Sequence, residues 1–242
     1  KGYSLVASDY GQIEARVIAM LSKDPSFMKS LWEDMDVHRK YAEWLADRYP
    51  PIYKRYNKDI GALRSDVKNK LVFPAFYLAH EESIGKSLGL PSRITSELFE
   101  CFWDEFAGIR GWQDGLVRFY KQHGYVECMN GRRRRGPLNN NMIVNTPVQG
   151  SSSDIVVDAM ARCAKVAFAT DRPYLHPVLN IHDDLTFLVP DEALEDAIES
   201  IVKEMLRVPF DWITVPISIE VSVGKNWYDM EEIGKFDSRE VL

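Results

Sequence analysis

Two aspartates, Asp9 and Asp183, are placed to do chemistry in this 242-residue sequence. Asp9 follows an opening run, Tyr3 to Ser8, that reads as a strand, and Asp183 lies between the short apolar runs Pro177 to Ile181 and Leu185 to Val189. That spacing predicts a tight hairpin with His182, Asp183 and Asp184 at its tip. If the strands share a sheet, the two carboxylates meet and repel, so they either share a proton or bind hard divalent cations. Two such ions about 3.5–4 Å apart can activate an attacking oxygen and stabilise a leaving phosphate oxygen in one in-line displacement. Asp is also favoured in turns and caps, and spacing alone leaves that reading open.

A second group is basic. Arg64 and Lys68, four apart, share a helix face and can grip one polyphosphate, with Lys70 nearby and Phe73 and Tyr77 following as rings for a base. A solvated helix face is the plainer account of the same residues. Arg132 to Arg135, after the turn residues Asn130 and Gly131, are dense enough to hold a nucleic-acid backbone or simply to solubilise. Asn139 to Asn141, Asn145 and Gln149 supply amides of the kind that read base edges, and equally the kind that fill loops.

Elements must position these groups. Ile217, Ile219, Val221 and Val223 alternate with polar residues as in a half-buried strand. Asp24 before Pro25 and Asp36 before Val37 read as helix N-caps. Leu98, Phe102 and Phe106, then Ile109, Trp112, Leu116 and Tyr120 after a break at Gly108, form helical stripes. Ile155, Ala159, Cys163 and Val166 mark another helix, and Leu194, Ile198, Ile201 and Met205 one more. Strands near both ends with helices between them predict an α+β fold, an antiparallel sheet from which the middle is an excursion.

The composition, 45% hydrophobic and 27% charged, excludes a disordered or fibrous chain. No apolar run approaches the roughly 20 residues of a membrane span, so no membrane partner is expected. Three cysteines make no paired framework, which points to a reducing compartment. With a net charge of −6, any nucleic acid must be held by local basic clusters.

In chain order these segments resemble the motifs of the family-A DNA polymerases, the DNA polymerase I class. Ser8-Asp9-Tyr10-Gly11-Gln12-Ile13-Glu14-Ala15-Arg16 with Asp36-Val37-His38 is similar to the first polymerase motif. Arg64 and Lys68 with Phe73 and Tyr77 resemble the second, on the fingers helix. Gly124-Tyr125-Val126, Gly131-Arg132-Arg133 and Asn145-Thr146-Pro147-Val148-Gln149-Gly150 are similar to the segments that come after it. His182-Asp183-Asp184 resembles the third motif, and Gly224-Lys225-Asn226-Trp227 the family's ending.

The resemblance implies a palm at 1–35, inserted helical fingers at 36–123 and palm again at 124–242. It implies template-directed DNA synthesis by nucleotidyl transfer from dNTP to a primer 3′-hydroxyl. Asp9 and Asp183 would hold two Mg²⁺ ions, replaceable by Mn²⁺, with the Tyr10 backbone carbonyl as a further ligand. Lys68 would protonate the departing pyrophosphate, and Arg64 and His38 would neutralise the outer phosphates. Gln12, Glu14, Phe73 and Tyr77 complete the dNTP site, Glu14 by blocking a ribose 2′-hydroxyl. Asn145, Gln149 and His182 would contact the primer terminus and the minor-groove edge, and Arg132 and Arg133 the DNA backbone.

Several positions depart from the family pattern. Asp184 stands where Glu is usual, one methylene shorter, and no metal role is assigned to it. Gly11 replaces a usual Ser, and Asn141 a common Arg. One residue more than usual separates Lys68 from Phe73. Pro74 and Leu78 stand where glycines are expected, and Pro74 should end or kink the fingers helix.

The thumb and the earlier palm, as well as any exonuclease domain, are expected outside this chain. A second polypeptide, from a split gene or a cleaved precursor, would supply thumb and remaining palm, and the start at Lys1 fits a processed piece. Primer-template DNA and dNTP are the other expected partners, in a bacterial or phage-infected cytoplasm. The alternative is a non-catalytic DNA-binding accessory module, marked by loss of a metal carboxylate or of Lys68, and none of these is lost. Glu14 opposes a single-subunit RNA polymerase, and a metal-dependent nuclease would not need Arg64, Lys68 and Glu14 in this order.

Overall fold

The computed structural model describes residues 2–241. In chain order it contains β1 (Tyr3–Tyr10), α1 (Ile13–Ser22), α2 (Pro25–Trp32), α3 (Val37–Arg48), α4 (Pro50–Arg55), α5 (Ile60–Val67), a π turn (Lys68–Val72), α6 (Phe73–Phe76), α7 (Glu81–Leu88), α8 (Ser92–Glu105) and α9 (Ala107–His123). Next come β2 (Tyr125–Glu127), β3 (Arg133–Arg135), α10 (Asn140–Thr170), β4 (Leu179–Ile181), β5 (Asp184–Pro190), α11 (Leu194–Leu206), β6 (Ser218–Gly224), β7 (Met230–Asp237) and α12 (Ser238–Val241). The fold is α+β, as expected, and the chain divides into two compact units: a sheet unit, 1–17 with 148–242, and a helical unit, 18–147.

In the sheet unit five strands pair in the order β4-β5-β1-β6-β7, antiparallel throughout. Alternation along β1 buries Ser4, Val6, Ser8 and Tyr10 and turns Asp9 to the other face. On the buried side α11 packs against β1, β5 and β6 through Ala197, Ile201, Val202, Met205 and Leu206. Ile155, Ala159 and Cys163 of α10 are buried at the predicted four-residue spacing. Tyr10, fully buried, donates its hydroxyl to the Met205 carbonyl at 2.7 Å and so anchors the end of β1.

Arg16 fixes the turn between β1 and α1. It is 5% exposed, donates from Nε to the Gly11 carbonyl at 2.8 Å and from Nη2 to Ser218 Oγ at 2.7 Å, and from Nη1 to the Pro216 carbonyl. The Gly11 N–H donates to the Ser218 carbonyl at 2.8 Å, and a Cβ on Gly11 would come within 2.6 Å of Ser218 Oγ. Glycine at this departure from the family pattern is therefore a steric requirement of the Arg16–Ser218 bond.

The helical unit is organised around rings. Phe27 meets Phe76 at 5.1 Å and Phe106 at 5.4 Å between centroids, and Phe102 meets Phe106 at 5.1 Å, all edge to face. Such pairs add about 0.5–1.5 kcal/mol each beyond their area burial. Gln113, 1% exposed, donates Nε2 to the carbonyls of Ala75 and Phe76 at 3.1 and 2.7 Å, closing the C-terminal end of α6. Asp24 does the same for two N-termini. Its Oδ1 accepts from Phe27 N–H at 2.8 Å as the cap of α2, and its Oδ2 accepts from Gly108 N–H at 2.7 Å at the start of α9.

Asp24→Ala leaves both helix starts with unsatisfied donors, so the helical unit should lose about 2–4 kcal/mol of unfolding free energy, and Asp24→Asn clearly less. Urea unfolding followed by tryptophan fluorescence measures this, and an Ala variant as stable as the parent would remove Asp24 from its bridging role.

Candidate active site

Register builds the acidic end of the sheet. Asp9 stands opposite Asp184 on β5 and Glu220 on β6, Glu220 opposite Lys235 on β7, and Asp184 opposite Ile181 on β4. Residues directly opposite in antiparallel strands share a face, so these five side chains form one row across the sheet. Between β4 and β5 the turn is only His182 and Asp183, with His182 at φ +58°. The turn brings Asp183 beside the row, its carbonyl accepts from Tyr10 N–H at 3.2 Å, and its carboxyl lies within hydrogen-bonding reach of Asp9.

The two carboxylates predicted to meet therefore do meet. Partial burial, then the charge of Asp183, then those of Asp184 and Glu220, push the Asp9 carboxyl from 3.8 to about 7. Burial also raises Asp184, against the hydrogen bond from Thr186 Oγ1 at 2.6 Å that directs its Oδ1 along its own strand. Among the described residues no group of three or more His, Cys, Asp or Glu is arranged to hold a metal ion by itself. Two adjacent carboxylates plus a main-chain carbonyl are nevertheless the donor set that suits Mg²⁺, which usually binds one or two carboxylates and completes its shell with water and phosphate oxygens.

In the helical unit the basic residues cluster on α5 and the π turn. Arg64 forms an ion pair through Nε with Asp36, which also caps α3 by accepting from Arg39 N–H at 2.9 Å. Lys68 Nζ lies 5.7 Å from the Phe73 ring centroid, and the His38 ring stacks on Phe73 at 6.0 Å. Burial, Arg64 and Lys68 together lower the His38 imidazole to about 4. At pH 7 it is neutral, so toward a phosphate it offers a hydrogen bond where a positive charge was expected.

Pro74, where the helix was expected to end or kink, does not end it. It lies one residue beyond the π turn, whose closing bond runs from Phe73 N–H to the Lys68 carbonyl, and α6 continues through it to Phe76. Tyr77 then ends it, and Leu78 takes the left-handed conformation, φ +65°, where glycine was expected, at a cost of about 1–2 kcal/mol.

The remaining residues fall on several elements. Glu14 sits in the first turn of α1, after Gln12 at φ +53°. Arg132 to Arg135 are exposed on and beside the β2–β3 ribbon, where the Arg133 and Arg135 guanidiniums lie 4.5 and 5.1 Å from the Tyr125 ring. Asn145 and Gln149 lie on α10 on either side of Pro147, Gln149 exposed and Asn145 with its Oδ1 buried. His182 is exposed at the hairpin turn.

Sequence reading missed three participants: Glu220 beside Asp9, Asp36 as the partner of Arg64, and Tyr125 between two arginines. Strand alternation was a usable signal for Glu220, which occupies the polar phase of its strand. Nothing in spacing pointed to the other two.

The sequence profile of DNA polymerase family A matches residues 1–229. Similar relatives include the thermostable DNA polymerase I of Thermus filiformis, 28% identical over 96% of this chain and 28% of the relative. DNA polymerase I of Bacillus subtilis (strain 168) is 29% identical over 95% of this chain and 26% of the relative. The chain thus spans about a quarter of the length of these relatives. Among solved structures, the POL domain of Pol1 from M. smegmatis, in complex with DNA primer-template and dNTP, has the same fold. It aligns with a TM-score of 0.77 and 24% identity over 94% of this chain and 40% of that one. Among the described residues no helix is long and apolar enough to cross a membrane.

The raised Asp9 carboxyl fixes a sign. Between pH about 4 and about 7 the folded protein keeps a proton that the unfolded chain has released, so this group costs stability increasingly as pH rises through that window. His38, lowered on folding, acts oppositely between about 4 and its ordinary value of 6.5. Comparing variants cancels it: in metal-free buffer the melting temperature of Asp9→Asn minus that of the parent should grow from pH 4 to 7 and then level off. A difference independent of pH would show that Asp9 does not carry the raised carboxyl.

Proposed function

The chain belongs to DNA polymerase family A, and from that premise we propose that it carries the nucleotidyl-transfer centre of a template-directed DNA polymerase. The observation that carries this reading is the meeting of Asp9 and Asp183 at the end of the central strand. Residues 1–35 and 124–242 would serve as palm and 36–123 as fingers, although the compact units divide after residues 17 and 147.

Asp9, Asp183 and the Tyr10 carbonyl would hold two Mg²⁺ ions. Bound there, the metals would supply Lewis-acid stabilisation of the attacking and leaving oxygens. Arg64 and Lys68 would take the triphosphate, with the neutral His38 donating a hydrogen bond and Lys68 giving its proton to the departing pyrophosphate. Glu14 would exclude a 2′-hydroxyl, Gln12, Phe73 and Tyr77 would line the nucleotide, and Arg132, Arg133, Asn145, Gln149 and His182 would hold primer and template.

The relatives contain polypeptide well beyond the matched quarter. A second polypeptide would supply the duplex grip and the rest of the palm, in a bacterial or phage-infected cytoplasm.

Primer extension with Mg²⁺ tests the centre. Asp9→Asn and Asp183→Asn should each lose about a thousandfold or more in rate while DNA binding, measured by fluorescence anisotropy, survives. Glu14→Ala should raise ribonucleotide incorporation by about a hundredfold relative to deoxynucleotide. Extension at the parent rate in either Asp variant would end the two-metal assignment, and an unchanged sugar preference would end that of Glu14.

A further inference from the structure

The helix α5–π turn–α6 carries two stripes with the same irregular spacing. Leu63, Val67, Val72 and Phe76 are buried at steps of four, five and four, with Leu71 and Ala75 buried beside Val72 and Phe76, while Arg64, Lys68, Phe73 and Tyr77 take the same irregular steps on the adjacent face. In an unbroken α-helix a five-residue step rotates the next side chain about 140° from its predecessor. Phe73 would then leave the face of Lys68, and Val72 would leave the core together with Phe76. A π turn closes an i to i+5 hydrogen bond and so returns residue i+5 to the position above residue i. The observed bond from Phe73 N–H to the Lys68 carbonyl is that closure. It leaves the Lys68 ammonium 5.7 Å from the Phe73 ring centroid, with the other contact of that ring taken by His38 at 6.0 Å.

We propose that Phe73 is the positioning residue of the Lys68 ammonium, and that the π turn Lys68–Val72 exists to hold the two on one face. This rests on the reading that Lys68 binds nucleotide phosphates. Lysine is a flexible point charge with three rotatable donors, so an aromatic face that fixes its direction raises its occupancy of one orientation before a ligand arrives. His38, buried and stacked on the ring, limits the ring's own movement. Asn69, exposed in the turn, contributes the extra residue without a side-chain role.

A double-mutant cycle on dNTP affinity, measured with Mg²⁺ by thermal shift and by fluorescence titration, separates this from a direct contact. Lys68→Ala should weaken dNTP binding at least tenfold. Phe73→Leu should weaken it about three- to tenfold in the parent and no more than about twofold in the Lys68→Ala background, the small remainder being the ring's own contact with the nucleotide and the larger part passing through the ammonium. Deleting Asn69 should turn the π turn into ordinary α-helix, return Phe73 to an i+4 step, keep affinity within about threefold and raise the melting temperature. Inserting one alanine after Asn69 should rotate Phe73 away and cost as much as Phe73→Leu. Additive losses in the cycle, or an Asn69 deletion that folds yet loses affinity as Phe73→Leu does, would overturn the positioning role while the parent reading stands. A Lys68→Ala variant with parental affinity would overturn the phosphate reading itself, and this inference with it.

Discussion

Repulsion between carboxylates is the constraint on which the sheet unit is built. Asp9, Asp183, Asp184 and Glu220 crowd one end of the sheet, and like charges in a partly desolvated setting favour moving apart or taking up protons. They cannot move apart, because backbone holds them. The β1–β5 and β1–β6 ladders fix Asp184, Asp9 and Glu220 opposite one another, and the two-residue turn fixes Asp183. Behind them Tyr10 is tied to α11, and Arg16 ties the turn after β1 to β6. The unfavourable charge is concentrated in one place and the hydrogen bonds that tolerate it are spread over four strands and a helix.

The helical unit holds the opposite imbalance. Burial first, then the charges of Arg64 and Lys68, keep His38 neutral, and Asp36 offsets only part of that effect. One unit thus has excess negative charge on a rigid sheet end and the other excess positive charge on a helix. Each arrangement costs the folded protein something that a ligand of opposite sign would return, a divalent cation in the first case and a polyphosphate in the second. The overall charge of −6 says nothing of this, since both effects act within a few ångströms.

Patterns of two and 3.6 residues make most of the fold legible in the sequence. The opening strand, the hairpin, the strand at 217–223 and the Asp24 and Asp36 caps are all found, while the helical break expected at Gly108 falls at Phe106, with Gly108 inside α9. β7 escapes such patterns because Met230–Asp237 is mostly polar and exposed, an edge strand that hydrogen-bonds to β6 but buries little. In the site, the meeting of Asp9 and Asp183 is legible because both lie at strand ends. The state of His38 is not, since its neutrality depends on burial and on cations 26 and 30 residues away in sequence. The π turn is not legible from the apolar pattern, because Leu63, Val67, Leu71 and Ala75, all buried, keep an even step of four that an unbroken α-helix satisfies, and the extra residue after Lys68 reads only as a departure in spacing.

Four of the departures from the family pattern are met by a local adjustment, which argues that the pattern is a set of spatial demands more than a list of residues. Without a side chain at position 11, Ser218 Oγ lies only 2.6 Å from where a Cβ would be and accepts from Arg16. One residue too many after Lys68 is absorbed in a single π turn, so that both the apolar and the cationic face continue in register. Leu78 adopts the left-handed backbone that a glycine would have taken more cheaply, because Gln113 and the ring cluster fix where α6 must stop. Asp184, shorter than the usual residue, is held along its strand by Thr186. In these cases the backbone or a neighbouring hydroxyl accommodates the altered side chain or the extra residue. Substitutions that such neighbours can accommodate should be common in this fold, and those at the carboxylates themselves should not, since no neighbour can replace a charge that the sheet has been built to hold in place.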